Sequence, residues 1–192
     1  MSTESKNPSV YGTMKTILAY MNSPQEQRNL PGNLAAIRHS SGKNLEEASE
    51  VWPILFPFIP QDHLGEGALN PKEKALLVTL QLYAIGQQGS NKMMNDEKGG
   101  SIGSSLQLIK DKESTALDRR FNSMLTAATF EEFIYHLRQI FKLGKSKSEF
   151  SVNYPALAED LFWYQNGRNK QISLKWAKDY YRPFSKNNND QT

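Results

Sequence analysis

The chain has 192 residues, a length that allows one or two compact domains with a buried core. Hydrophobic residues make up 38% and charged residues 22%, which is typical of a folded globular protein and excludes a disordered chain. There is no cysteine, which excludes disulfides and thiolate chemistry. The net charge of +3 is too mild to identify a polyanionic partner by itself.

The hydropathy pattern and the N-terminal residues indicate where in the cell the protein is expected. Prolines 53, 57 and 60 interrupt the most hydrophobic stretch, so no apolar run approaches the roughly 20 residues of a membrane span. The first ten residues lack the basic region and apolar segment of a secretory signal. We therefore expect a cytoplasmic protein that does not contact a membrane.

Nearly every periodic segment has helical spacing, and no run alternates like a half-buried strand. The fold class predicted from this pattern is all-α, a bundle-like packing of about eight short helices. In the first of them, Met14, Ile17, Leu18 and Met21 face inward. The predicted helices cover 10–21, 33–39, 45–56, 70 to between 86 and 89, 104–110, 115–127, 129–143, 155–165 and 173–182.

Two of these helices have well-marked starts. Asn70, Pro71 and Glu73 supply an N-cap, a proline in the first turn and a glutamate that closes a capping box. Thr129 and Glu132 have the spacing of a second capping box.

Residues 87–101 form the one long irregular stretch, rich in Gly, Asn, Ser and Lys. We interpret 88–100 as a mobile loop, and the glycines at 99, 100 and 103 as a flexible linker. They lack the Gly-Lys-Ser/Thr ending of a phosphate-binding P-loop and a preceding strand. The chain is thus predicted to be a single all-helical domain over 1–192, or two lobes joined by this loop, with a frayed tail at 185–192.

No catalytic or metal-binding constellation is visible, and we expect neither an enzyme nor a cofactor. His39, His63 and His136 are isolated and are expected at the surface or its boundary. The adjacent pairs 46–47 and 159–160 are expected to be ordinary helix-surface charge.

Aromatic residues cluster near the C-terminus. At helical spacing, Phe162, Trp176 and Tyr180 are expected to pack in the core, although aromatic side chains can also stack on unpaired bases. For Trp163 and Tyr181, the sequence does not decide between core packing and base stacking.

The most informative segment for function is 129–147, an amphipathic helix with a basic stripe. At about 100° per residue, Arg138, Lys142 and Lys145 fall together beside its apolar face. No acidic residue occurs between Arg138 and Lys147. The stripe either presents cations to a polyanion or merely complements the helix dipole in water.

Several segments in order resemble one known family. They are LAAIRHSSGK at 34–43, VWPILFPFIP at 51–60, ALLVTLQLYAIGQQG at 75–89, SIGSSL at 101–106, ALDRRFNSMLTA at 116–127, EEFIYHLRQIFKLGKSK at 131–147, NYPALAEDLFWYQNG at 153–167 and LKWAKDYYR at 174–182. The chain resembles the small subunit (CasB family) of Cascade, the type I-E CRISPR surveillance complex.

This resemblance implies an all-helical, non-catalytic subunit. It implies as partners a second copy of the chain, the large subunit and the backbone subunits of Cascade, together with guide RNA and target DNA. The implied role is to stabilise guide RNA–target DNA pairing and the displaced strand during antiviral interference. The alternative is a purely structural scaffold that braces neighbouring subunits.

The resemblance also implies which residues contact nucleic acid. Where family members continue with leucine, this chain has Gly144, so the helix is expected to end there and to leave the lysines beyond it on a loop. From its sequence pattern, Arg38 is expected to be exposed, whereas Arg120 either faces solvent or bridges helices. The resemblance implies Arg38, Arg119, Arg120, Arg138, Lys142, Lys145 and Lys147 as nucleic-acid-binding residues, and Lys43, which follows Gly42, is added as a further candidate.

Overall fold

The computed structural model describes residues 9–65, 70–89, 95–111 and 115–182. Within these residues, the extended backbone pairing is an isolated bridge between Asn95 and Val152, which confirms the predicted all-α class. The α-helices are α1 Val10–Met21, α2 Leu30–His39, α3 Trp52–Leu55, α4 Pro71–Gly86, α5 Ile102–Leu108, α6 Ala116–Leu125, α7 Phe130–Gly144, α8 Tyr154–Trp163 and α9 Asn169–Tyr181.

The two marked helix starts differ in detail. At α4 the predicted capping box is confirmed, because Asn70 Oδ1 accepts from the Glu73 backbone N–H at 3.0 Å and the Glu73 carboxylate accepts from that of Asn70 at 3.0 Å. At α7, Thr129 Oγ1 accepts from the Glu132 N–H at 3.1 Å. The Glu132 carboxylate instead accepts from the N–H of Ala128, one residue before the cap.

The predicted helix over 45–56 is wrong. Four 3₁₀ turns and the four-residue α3 occupy residues 45–63. The reason is proline chemistry: Pro53 fits the first turn of α3, but Pro57 has no N–H to extend the helix beyond it.

Helix α4 lies at the centre of the fold, where it packs against α1, α2, α7 and α8. Every residue from Ala75 to Gly86 is buried, as expected for a helix surrounded on all sides. Within the described ranges, each of the helices α1 to α9 contributes buried side chains to one continuous hydrophobic cluster. We therefore propose that the chain forms a single domain; the predicted tail at 185–192 lies outside the described residues.

The predicted surface role of Glu159 and Asp160 is wrong. Asp160 is 6% exposed; its carboxylate accepts from Lys175 Nζ at 2.9 Å and from Trp176 Nε1 at 2.7 Å. Glu159 accepts from the Tyr11 backbone N–H at 3.0 Å, which connects α8 to α1. Both carboxylates therefore connect helices.

The predicted linker around Gly103 is also a packing site. Ser101 caps α5, and a Cβ on Gly103 would collide with the backbone of Trp176, so glycine lets α5 approach α9 closely. Of the loop predicted to be mobile, 90–94 lie outside the described residues. The stretch after them is held in place, since Asp96 donates its N–H to Val152 O and Asn153 donates to Glu97 O.

The predictions for single aromatic and histidine residues have mixed outcomes. Trp176 and Tyr180 are buried as expected, whereas Phe162 is only partly buried against the core. Tyr181 is 49% exposed. His39 is exposed, but His63 is buried at 5% exposure, so its predicted surface position is wrong.

Candidate nucleic-acid interface

The eight candidate cations occupy three parts of the molecule. Arg38 and Lys43 lie on α2 and the turn after it, and Arg119 and Arg120 lie on α6. The other four lie on α7 and in the turn that follows. Helices α2 and α7 both pack against α4, and α6 packs against α7, so α4 connects the first group to the last.

Polar contacts along one edge of the α4–α7 interface recur every seven residues, along both helices and into the turns that follow them. Each contact joins residues 57 positions apart in the chain, so the two helices run in the same direction in one register. A seven-residue repeat keeps the same face of each helix toward its neighbour. The contacts are Lys74 with Glu131 at 2.5 Å, Gln81 with Arg138 at 2.9 Å and Gln88 with Lys145 at 2.7 Å.

Arg138 is half-buried in this interface. Its Nη2 donates to Gln81 Oε1 at 2.9 Å, and the amide of Gln81 donates in turn to Ser40 O at 2.8 Å. Because Ser40 uses the donor end of this buried amide, its acceptor end is available to face the guanidinium. Burial lowers the pKa of Arg138, yet an arginine remains a cation at neutral pH.

The predicted basic stripe on α7 therefore divides into two. Arg138 and Lys145 turn toward α4 and are held by neutral amide oxygens, whereas Lys142 is exposed. A spacing of seven residues returns to almost the same helix face, but a spacing of four shifts a side chain by about 40°. That rotation separates Lys142 from the interface.

Helix α7 ends at Gly144, as predicted, and Lys145 is its C-cap. The reason is packing as much as helix propensity. Gly144 is buried, and a Cβ there would lie 2.8 Å from the ring of Phe150. Lys145 and Lys147 consequently lie in the turn after the helix, within six residues of Lys142.

Three of the candidate cations have side chains without any partner in the described part of the chain. Arg119, Lys142 and Lys147 are exposed and make no side-chain hydrogen bond or ion pair there. Arg120 is also exposed; among the described residues its side chain donates to Ala116 O of its own helix at 3.3 Å, and it bridges no two of the helices described above. These four side chains can reach a ligand without losing a protein contact of consequence.

The two cations near α2 are more constrained. Arg38 is half-buried and donates to Ala84 O of α4 at 3.4 Å, so its expected exposure is wrong. Lys43 pairs with Glu50 at 3.1 Å. Contacts with its own backbone, His39 and Lys43 lower the pKa of Glu50 to about 2, which keeps this carboxylate ionised.

The electrostatic character of the interface follows from these partners. Among the eight candidates, only Lys43 forms an ion pair with a carboxylate of the described residues. Arg138 and Lys145 have neutral partners, which position a cation and leave its charge uncompensated. Such a surface attracts an anion more strongly than a surface of ion pairs.

Sequence reasoning missed the two amides that hold Arg138 and Lys145, namely Gln81 on α4 and Gln88 in the turn after it. Lys74, Gln81 and Gln88 are spaced by seven along a largely apolar stretch, and this spacing was an available signal. Nothing in the described ranges groups His, Asp and Glu as a metal site would require. None of the described helices combines the length and apolarity needed to cross a membrane.

Comparisons with known proteins agree with this architecture. A sequence model of the family described as CRISPR-associated protein Cse2 matches residues 33–181. CasB from Thermobifida fusca has the same fold, with a TM-score of 0.65 and 21% identity over 89% of this chain and 94% of that one. A Cse2-family protein from Thermus thermophilus has a TM-score of 0.67 and 21% identity, over 88% of this chain and 97% of that one. CasB from M. ruber has a TM-score of 0.66 and 22% identity, over 91% of this chain and 93% of that one. No curated protein matches the chain.

Proposed function

The chain belongs to the CRISPR-associated protein Cse2 family, and we propose that it is a non-catalytic subunit of Cascade that binds nucleic-acid backbone. In this role it stabilises guide RNA–target DNA pairing and the displaced strand. Its partners would be the large subunit, the backbone subunits and a second copy of itself.

The observation that carries this proposal is the uncompensated charge at the C-terminal end of α7. Lys142, Lys145 and Lys147 lie within six residues, and no carboxylate of the described chain pairs with them. Lysine and arginine contacts to phosphate do not depend on base sequence, as a subunit that serves any guide requires. Replacing a DNA duplex by an RNA–DNA hybrid is nearly balanced in free energy, so a few such contacts can decide whether the opened state persists.

A protein–protein scaffold is the second candidate function, and exposed apolar side chains favour it. Tyr20, Trp52 and Phe56 are 41%, 39% and 36% exposed. Large exposed aromatic residues are enriched at protein interfaces. In the scaffold alternative, the basic residues would contact acidic protein surfaces instead of phosphate.

The test uses the double variant Lys142→Ala, Lys147→Ala, assembled into Cascade, and target-DNA affinity measured across salt concentrations. Both side chains are exposed and unpaired in the described part, so the fold should survive with a stability change within about 0.5 kcal/mol. We expect weaker binding to all target sequences, and each lost phosphate contact should flatten log K against log salt by about 0.7–0.9.

The matched control is Lys170→Ala, Lys178→Ala on α9, which removes the same charge from two exposed positions elsewhere. If both double variants assemble and bind DNA with the affinity and salt slope of the unmodified complex, the scaffold function is favoured. If both weaken binding equally, only the overall charge matters.

A further inference from the structure

A cavity of about 170 Å³ opens beside Arg138, between α4, α7 and the turn after α2. The space is larger than several water molecules, each of which occupies about 30 Å³ in the liquid. Leu77, Ile134 and Phe130 give it an apolar wall, and Lys43, Lys74 and Arg138 supply cations. We call it the Arg138 cavity.

The charges that line the Arg138 cavity, taken together with Glu50 outside it, leave one uncompensated cation. Lys74 pairs with Glu131, which also lines the cavity, and Lys43 pairs with Glu50. Within the described residues, Arg138 donates a hydrogen bond to the neutral amide of Gln81 and pairs with no carboxylate. A ligand with one negative charge therefore matches the cavity, whereas a more highly charged anion would keep excess charge near apolar walls.

The hydrogen-bond donors of Arg138 are mostly unused. A guanidinium has five N–H groups, and Arg138 directs one of its nitrogens, Nη2, to Gln81. Its Nε is buried and has no partner within the described residues, and Nη1 makes no hydrogen bond there. A half-buried cation with idle donors is costly, and an oxyanion is the ligand whose geometry matches the guanidinium fork.

We propose that the Arg138 cavity binds a single phosphodiester group of a nucleic-acid strand, with Arg138 as its principal donor. This inference rests on the proposed function and places one phosphate of the backbone in the cavity. Lys43 and Lys74 each keep N–H groups beyond those in their ion pairs, and these groups can orient the remaining phosphate oxygens. The apolar wall strengthens such contacts by excluding water.

Gln81 is the positioning residue of this site. Its amide is anchored by Ser40 on one side and holds the guanidinium on the other, so Arg138 is oriented without being neutralised. A glutamate at position 81 would provide an acceptor of nearly the same shape and would also cancel the charge that the phosphodiester needs.

The decisive experiment observes Arg138 directly by NMR in the full, unmodified chain labelled with ¹⁵N-arginine. The Nε–H resonance of Arg138 is assigned as the signal that disappears in Arg138→Lys. We titrate a single-stranded dT oligonucleotide, inorganic phosphate and an acidic glutamate-rich peptide in separate arms. The expected result is a saturable shift of the Arg138 resonance with the oligonucleotide, and a weaker one with inorganic phosphate.

The outcomes separate this proposal from the proposed function. If the oligonucleotide binds without moving the Arg138 resonance, the cavity proposal is overturned and backbone binding elsewhere on the chain stands. If the oligonucleotide does not bind, the proposed function fails. In that case, a shift of the Arg138 resonance with inorganic phosphate would retain the cavity as a phosphate site. The absence of such a shift would overturn the cavity proposal as well. A shift with the acidic peptide alone would assign the cavity to a protein carboxylate.

Variants supply a second measurement. We expect Arg138→Gln to weaken oligonucleotide binding about tenfold, and the matched charge-removing control Lys170→Gln to change it less than about twofold. Gln81→Glu should weaken binding to a similar extent while the Arg138 signal remains observable and fails to shift with oligonucleotide. An unchanged titration in Gln81→Glu would contradict the positioning role.

Discussion

Two interfaces of this molecule treat a buried charge in opposite ways. Between α8 and α9, the Asp160 carboxylate is buried and accepts from Lys175 and Trp176, so its charge is balanced within the protein. Between α4 and α7, Arg138 is half-buried and contacts the neutral amide of Gln81. An internally balanced charge serves the fold, whereas a positioned but unbalanced charge remains available to a ligand.

The largest expected effect concerns the buried carboxylate whose charge is balanced within the protein. Asp160→Ala should lower the free energy of unfolding by about 3 kcal/mol, because Trp176 Nε1 is left buried without its acceptor and the pair with Lys175 is lost. Urea unfolding monitored by circular dichroism measures this change. The exposed carboxylate change Glu46→Ala should stay within about 0.5 kcal/mol. A loss below about 1 kcal/mol for Asp160→Ala would show that the buried carboxylate contributes little.

A smaller effect is expected when the neutral amide that accepts from a lysine is replaced by a carboxylate. Gln88 is exposed and accepts from Lys145 at 2.7 Å, so Gln88→Glu creates an ion pair with little change in shape. We expect oligonucleotide affinity to fall about threefold to tenfold at low salt, with an unchanged melting temperature. Gln88→Ala is the matched control, since it removes the acceptor without neutralising the cation. Equal affinities for the Glu and Ala variants would contradict the importance of the uncompensated charge.

The smallest effect concerns a balanced charge nearer the surface. The Asp118 carboxylate accepts from Lys110 at 2.8 Å and from the Tyr180 hydroxyl at 2.6 Å, and these contacts lower its pKa. A carboxylate whose folded pKa is depressed adds stability above its unfolded pKa and loses it as pH falls through the folded pKa. Stability should therefore drop in acid below about pH 3.8.

Asp118→Asn should remove this part of the pH dependence. The difference in unfolding free energy between about pH 7 and about pH 2.5 should shrink by less than about 1 kcal/mol, because the site is partly solvated. Urea titrations at the two pH values measure it, and the exposed Glu47→Gln provides the reference. A larger difference in Asp118→Asn than in the unmodified chain would contradict the sign of this effect.

Local patterns predicted much of the helix layout. Helix α1 spans the predicted residues 10–21, and the four residues expected to face inward are all buried. The capping box at α4 and the end of α7 at Gly144 are also predicted correctly. Such features depend on residues within one or two turns of each other, where spacing along the chain fixes spacing in space.

Placement between helices was harder to predict. Asp160 and Glu159 are neighbours in the chain, and their interhelical roles depend on how α1, α8 and α9 pack. The sequence around Gly103 predicts a linker, although this glycine lets two helix backbones approach each other. A period of 3.6 residues identifies the apolar face of a helix but does not specify its neighbour or their register.

The sequence by itself determined the helical class, most helix boundaries and the concentration of cations at the end of α7, because each depends on local order. Tertiary structure alone decided which cations remain uncompensated. Lys43 pairs with Glu50, whereas Arg138 donates to Gln81 of a neighbouring helix, 57 positions away in the chain. Charge compensation depends on distances of a few ångströms between chain segments, and only the packed fold sets those distances.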